Sequence, residues 1–269
     1  MRLRATATAT VTASAALGAA LAVTALAGPA AGATQDDTPT RFSDIVVNKR
    51  LDYTVVVGAR AKVAFQISAT VNDPSGVRSV TYGLWHGNTR AQADGYLAQV
   101  GSGRCVKAGA TTSRCEAVVV ADPNTNLRSN ALAGVWTVGA VAVDGAGNVT
   151  RLDDVGTGIA RIKRETHLSG ADATPEPVKK GRTVTVRARM TVASWQQHKD
   201  VPLIGHQVLL QFRKGRSGAF ATVQKVKTDR NGWVRGAVKA TVDGEYRFAF
   251  AGTSLTQART GAADFVDVR

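Results

Sequence analysis

Cysteine, histidine and aromatic residues are all scarce: two Cys, four His and 6% aromatics in 269 residues. Each shortage removes a class of chemistry. A structural zinc site needs about four Cys or His ligands, and no His-Glu-x-x-His pair or clustered Cys occurs. Nucleophilic hydrolysis needs a base placed beside Ser or Cys. The histidines, His86, His167, His198 and His206, are scattered, and no Gly-x-Ser-x-Gly elbow is present. No glycine-rich phosphate loop opens a helical stretch. The adjacent acids Asp36-Asp37 and Asp153-Asp154 point in different directions in loops and make no general acid/base couple. The reading from these absences is a protein that is not an enzyme and has no resident cofactor.

Acids are also few. Asp+Glu number 20 against 34 Lys+Arg, a formal charge of +14. The excess is uneven, with 14 basic and 11 acidic residues over 34–163, then 18 and 9 over 164–269. A field of that sign attracts polyanions by screened, non-specific forces.

An apolar run occurs only at the N-terminus. Arg2 and Arg4 precede an Ala/Leu/Val stretch from Ala15 to Ala27, and Ala31-Gly32-Ala33 fits a small-residue cleavage site. The stretch is short of the roughly 20 residues that cross a bilayer. Residues 1–33 therefore read as a cleaved signal peptide, a retained signal anchor being the other reading. The mature chain is expected to be secreted, extracellular and without a transmembrane segment. Thr34 is not Cys, which leaves no lipoprotein anchor, and export makes nucleic acid the weaker polyanion. Cys105 and Cys115 are expected to form a disulfide in that compartment. A two-thiolate metal site is the alternative, with no third ligand nearby.

What is abundant is alternation. Val63, Phe65, Ile67 and Val71 share one face of a stretch whose other face carries Gln66, Ser68 and Thr70, the pattern of a half-buried strand. Val184, Val186, Ala188, Met190 and Val192 alternate with Arg187 and Arg189, and Tyr246, Phe248 and Phe250 with Glu245 and Arg247. Turn signals divide such stretches: Asn72-Asp73-Pro74-Ser75-Gly76, Asp144-Gly145-Ala146-Gly147-Asn148 and Asp229-Arg230-Asn231-Gly232. The last reads as a type I′ hairpin. After a flexible leader over 34–41, the spacing predicts two β-sandwiches, 42–163 and 164–269, joined near 161–176.

Asp73-Pro74-Ser75-Gly76-Val77, with Gly134-Val135-Trp136-Thr137-Val138 leading into the Asp144–Asn148 turn, resembles bacterial immunoglobulin-like domains of cell-surface and secreted proteins. Pro177-Val178-Lys179-Lys180-Gly181, Gly205-His206-Gln207-Val208, Thr228–Gly232 and Gly244-Glu245-Tyr246-Arg247 carry the same likeness through the second half. The resemblance implies an all-β chain, two tandem immunoglobulin-like sandwiches, and a scaffold role in binding or structure at the cell envelope or in adhesion.

Three sets of residues offer binding chemistry. Arg187, Arg189, Arg213 and Arg247 lie on outward strand faces of the basic second half, a multivalent arrangement for anionic cell-wall polymers. The alternative is solvation together with protection of sheet edges. Trp195, in the polar Ser194–Asp200 stretch, is placed to stack on a sugar ring, or to fold over a sandwich end. Trp85, Trp136 and Trp233 sit in strands, where core packing is the default. Asp73, Asp144 and Asn148 offer hard oxygens for Ca²⁺, against the alternative that they bond their own turns. The alternative to a polyanion binder is thus a carbohydrate- or calcium-dependent module.

Overall fold

The computed structural model describes residues 38–49, 52–152 and 158–269. The expected signal peptide, 1–33, lies outside the described residues. Helical structure among the described residues amounts to two single 3₁₀ turns, Arg90–Gln92 and Asn130–Leu132, and no helix is long and apolar enough to cross a membrane.

The first half contributes nine strands: β1 (Arg41–Val47), β2 (Thr54–Val57), β3 (Val63–Asn72), β4 (Val77–His86), β5 (Gly95–Lys107), β6 (Thr112–Ala121), β7 (Gly134–Asp144), β8 (Val149–Leu152) and β9 (Ile159–Arg164). One layer pairs β1–β3–β6–β5, the other β5–β4–β7–β9–β2 with β8 also on β7. Strand β5 serves both, its first residues pairing β4 and its remainder β6. Consecutive strands β3 and β4, and again β6 and β7, fall in different layers, and β2 runs parallel to β9. This interleaving is the Greek-key arrangement of immunoglobulin-like sandwiches. Phe65, Ile67, Tyr82, Leu84, Val119 and Trp136 meet between the layers. Thr40 is buried, its hydroxyl donating to Asp73 Oδ2 at 2.9 Å, and β1 begins at Arg41, so ordered structure starts earlier than the expected leader allows.

The second half adds β10 (Thr166–Leu168), β11 (Asp172–Thr174), β12 (Thr183–Ser194), β13 (Lys199–Pro202), β14 (Gln207–Lys214), β15 (Ala221–Lys227), β16 (Trp233–Lys239), β17 (Gly244–Phe250), β18 (Arg259–Thr260) and β19 (Asp264–Val266). Strand β12 is central to one sheet, flanked by β10, β11, β13 and β16. Strands β15–β14–β17 form the other, with β18 and β19 on β17. Val184, Val186, Ala188 and Met190 point inward to Val208, Leu210 and Phe248, and the polar residues between them face outward. The Asp229–Gly232 turn is not a hairpin. It carries the chain from β15 in one sheet to β16 in the other, with Asp229 Oδ1 accepting from the Asn231 and Trp233 amides at 2.8 Å each. Of its residues only Gly232 has positive φ, whereas a type I′ turn needs two.

A single residue, Glu165, separates β9 from β10, so the anticipated connector over 161–176 is largely strand. The Glu165 amide donates to Val57 O at 3.0 Å and its carbonyl accepts from Ala193 N at 2.9 Å. At the end of β12 the alternation stops: Val192, Ala193, Ser194 and Trp195 are all buried. Trp195 belongs by sequence to the second half and packs in the core of the first. Its Nε1–H donates to Val57 O at 3.3 Å, and its amide donates to Asn130 Oδ1 at 2.8 Å. Asn130 Nδ2 reaches Ser194 Oγ at 3.2 Å, Arg164 Nε donates to Ala193 O at 2.6 Å, and Arg60 Nε to His198 O at 2.5 Å.

Candidate functional site

The four arginines singled out by sequence do not share a face. Arg187 and Arg189 stand on the outer side of β12, Arg213 and Arg247 on the outer sides of β14 and β17, in the opposing sheet. The reason is geometric: each sheet turns its apolar set toward the shared core, so the polar sets leave in opposite directions. One four-arginine site is thereby ruled out, and two separate basic faces remain.

On the β12 face, Arg187 Nε donates to Asp172 Oδ2 at 2.8 Å and Arg189 Nε to Asn231 O at 3.3 Å. Arg187 is registered opposite Arg235 of β16, a like-charge cross-strand pair of the kind that weakens a sheet.

The β14–β17 face is more organised. The Arg213 guanidinium lies 4.5 Å from the Phe220 ring centroid and that of Arg247 3.8 Å from the same ring. Arg216 lies 4.1 Å over Phe265. Arg213 Nε and Nη2 both reach Glu245 Oε2 at 2.5 Å, Arg216 Nη1 stands 3.6 Å from Glu245 Oε1, and Arg247 Nε donates to Gln211 Oε1 at 2.9 Å. Register puts Lys225 opposite Leu209 and Lys227 opposite Gln207, on this same outer side. Arg213 and Arg216 thus meet one carboxylate, Glu245, while Arg247, Lys225 and Lys227 extend the basic face along the strands. Each aromatic contact is worth about 0.5–1 kcal/mol at an exposed position, and it holds a planar donor fork in place before any anion arrives. Sequence reading missed Phe220, Arg216, Phe265 and Glu245 as members of this site. Their link is cross-strand register and a loop closing over the sheet, which no local spacing encodes.

Trp195 is not the exposed platform its polar neighbours suggest. It has no exposed surface at all, because the end of β12 inserts into the first core. Of the other tryptophans, Trp136 is core, while Trp85 and Trp233 lie on outer faces.

Asp73 and Asp144 do lie together at one end of the first sandwich. Gly145 N donates to Gly76 O at 2.9 Å, and Ala146 N to Ser75 Oγ at 3.2 Å. Their oxygens are engaged by the turns themselves. Asp73 Oδ1 accepts from the Ser75 amide and hydroxyl at 2.9 and 2.7 Å. Asp144 Oδ1 accepts from Gly147 N and Asn148 N at 2.7 and 2.8 Å, and its Oδ2 from Asn148 Nδ2 at 3.0 Å. Burial opposes ionisation of Asp144, but the hydrogen bonds from Asn148, Gly147 and Ala146 together outweigh it and hold the carboxyl below its usual range. No group of three His, Cys, Asp or Glu placed to hold a metal ion occurs among the described residues.

Cys105 and Cys115 are disulfide-bonded as directly opposed partners on β5 and β6, with Cα atoms 4.0 Å apart. The thiolate metal alternative falls with that bond.

Residues 46–142 match the model of a family of unknown function (DUF5707). No curated protein matches the chain. Among solved structures, the chain is similar to the D00-D0 domain of intimin, at 16% identity and TM-score 0.27, covering 83% of this chain and 99% of that one. The Escherichia coli adhesin FdeC matches at 11% identity and TM-score 0.32, over 84% and 63%. A C-terminal fragment of the major pilin GBS80 of Streptococcus agalactiae matches at 9% and 0.27, over 78% and 85%. The assignment of an immunoglobulin-like sandwich rests on strand pairing within this chain.

Proposed function

We propose that this chain is an exported, non-catalytic binding protein that associates with anionic envelope polymers through the β14–β17 face of its second half. The observation that carries the reading is the Arg213–Phe220–Arg247 stack, with Arg216 beside Glu245 and with Lys225 and Lys227 further along the same outer side. Guanidinium groups pre-positioned on an aromatic ring lose little side-chain freedom on meeting phosphate or carboxylate. A row of them engages a repeating anion multivalently. The N-terminal basic and apolar pattern, read as an export signal, sets the compartment in which such polymers occur.

The test is retention of the full mature chain on immobilised polyphosphate and on polyglutamate across a salt series. The Debye length shrinks from about 30 Å at 0.01 M to about 8 Å at 0.15 M, so binding should be strong in low salt and fade across that interval. The double substitution Arg213→Gln, Arg247→Gln should elute at clearly lower salt than the parent, and Arg187→Gln, Arg189→Gln close to it. Retention indifferent to salt, absence of retention at low salt, or equal effects of the two pairs would each overturn the assignment.

A further inference from the structure

The outer side of the layer containing β4, β5 and β7 carries a second feature, far in chemistry from the basic face. Alternation places Thr81, Gly83 and Trp85 of β4 there, beside Tyr96 and Ala98 of β5 and Gly139 and Val141 of β7. Trp85 is opposite Tyr96, and Gly83 opposite both Ala98 and Gly139. Together these residues line a pocket of about 220 Å³.

The two glycines differ in what requires them. A Cβ on Gly139 would stand 2.4 Å from Trp85 Cζ3, so the indole ring needs that position bare. A Cβ on Gly83 would meet only Leu97 O, at 3.7 Å, an ordinary contact. Its φ is not positive, and the register through it is regular on both sides. Glycine inside a strand weakens it and marks a bulge, a bend or a place where something approaches the backbone closely. No bulge and no positive φ occur at Gly83, and its bare backbone is open to close approach from the outer side.

Trp85 provides an independent sign. It is 5% exposed, and its indole Nε1 is buried with no hydrogen-bond partner among the described residues, a state native structures rarely tolerate. Tyr96 beside it is 53% exposed, with its hydroxyl donating to Arg90 O.

We infer that this pocket binds a single pyranose ring of a glycan over Gly83, against Tyr96 and Trp85. The volume is below the roughly 300–1,000 Å³ of pockets for drug-sized ligands, which limits the occupant to about one ring. A pyranose offers an apolar C–H face to the aromatic wall and oxygens at its rim. A small tilt of the indole would let one such oxygen accept from Nε1, whereas a hydrocarbon ring has no acceptor to offer. The inference does not depend on the basic face, which lies in the other half of the chain.

Titration of the ¹⁵N-labelled mature chain with N-acetylglucosamine and with glucose tests it, using benzyl alcohol as a flat apolar control. The Trp85 indole N–H and the Gly83 and Gly139 amides are expected to shift saturably with at least one sugar, with Kd on the order of 1 mM. Gly83→Val, which fills the space with a strand-favouring side chain, should abolish the shifts without lowering the thermal midpoint. If that variant does not fold, Tyr96→Ala, at an exposed position, should weaken them at least fivefold. Absence of shifts with either sugar well above that concentration, shifts that survive both substitutions, or saturation by benzyl alcohol alone would overturn the proposal. The last would identify an apolar side chain of a partner as the occupant.

Discussion

Replacing Trp195 with Ala tests how the two halves of the molecule are held together. The side chain is fully buried among residues of the first core, while its backbone continues β12 of the second half. Removing it opens a cavity that β2 and the Asn130–Leu132 turn cannot close without leaving their hydrogen bonds. Buried Trp-to-Ala substitutions cost about 3–5 kcal/mol. The lost Nε1 bond adds little, because Val57 O keeps the Glu165 amide at 3.0 Å. At about 2–4 °C per kcal/mol for a chain of this size, the thermal midpoint should fall by roughly 6–20 °C. Trp195→Phe, which retains much of the volume, should cost about 1–2 kcal/mol. Urea and thermal denaturation followed by circular dichroism provide the measurement. An exposed ring would leave stability within about 0.5 kcal/mol, so a Trp195→Ala loss below about 1 kcal/mol would refute the buried-plug account.

Three other outcomes follow from the geometry. Asp144 is held below its usual range when folded, so its stabilising contribution is present above the ordinary aspartate pKa of about 3.9 and is lost as pH falls through the folded value. Acid denaturation of Asp144→Asn should be shallower over that interval than the parent's, and identical profiles would contradict the turn assignment. Because Asp73 and Asp144 already accept from their own turns, millimolar Ca²⁺ should leave the thermal midpoint where it is in Mg²⁺. A selective Ca²⁺-induced rise would show that the turns reopen to bind it. Cys105→Ser with Cys115→Ser should cost about 3 kcal/mol by loop-closure entropy, with ten residues of separation. A denaturant midpoint equal to the parent's would show that strand pairing alone constrains that loop.

Sheet content was legible in the sequence wherever alternation is strict. Strand β12 alternates in burial as written from Val184 to Met190, whereas in β3 and β17 the alternation is broken by Ser68 and Glu245, which are buried although the pattern assigns them to the outer faces. The disulfide was legible too, from two cysteines and an expected oxidising compartment. Both rest on local information: a period of two, or a pair with no competing partner. The Asp229–Gly232 turn was misread because Asn-Gly suits a hairpin locally, while the partners of β15 and β16, which decide whether one exists, lie far along the chain.

Residue types therefore determined that this chain builds layered sheets and carries most of its excess positive charge in the second half. Which outward residues meet was decided only by packing. Layer assignment sent Arg187 and Arg213 to opposite sides, and cross-strand register brought Arg213, Phe220 and Arg247 into one stack. The insertion of β12's end took Trp195 out of solvent. Side-chain direction is encoded within a strand, but neighbourhood depends on strands tens of residues apart, whose pairing is fixed by how both cores close.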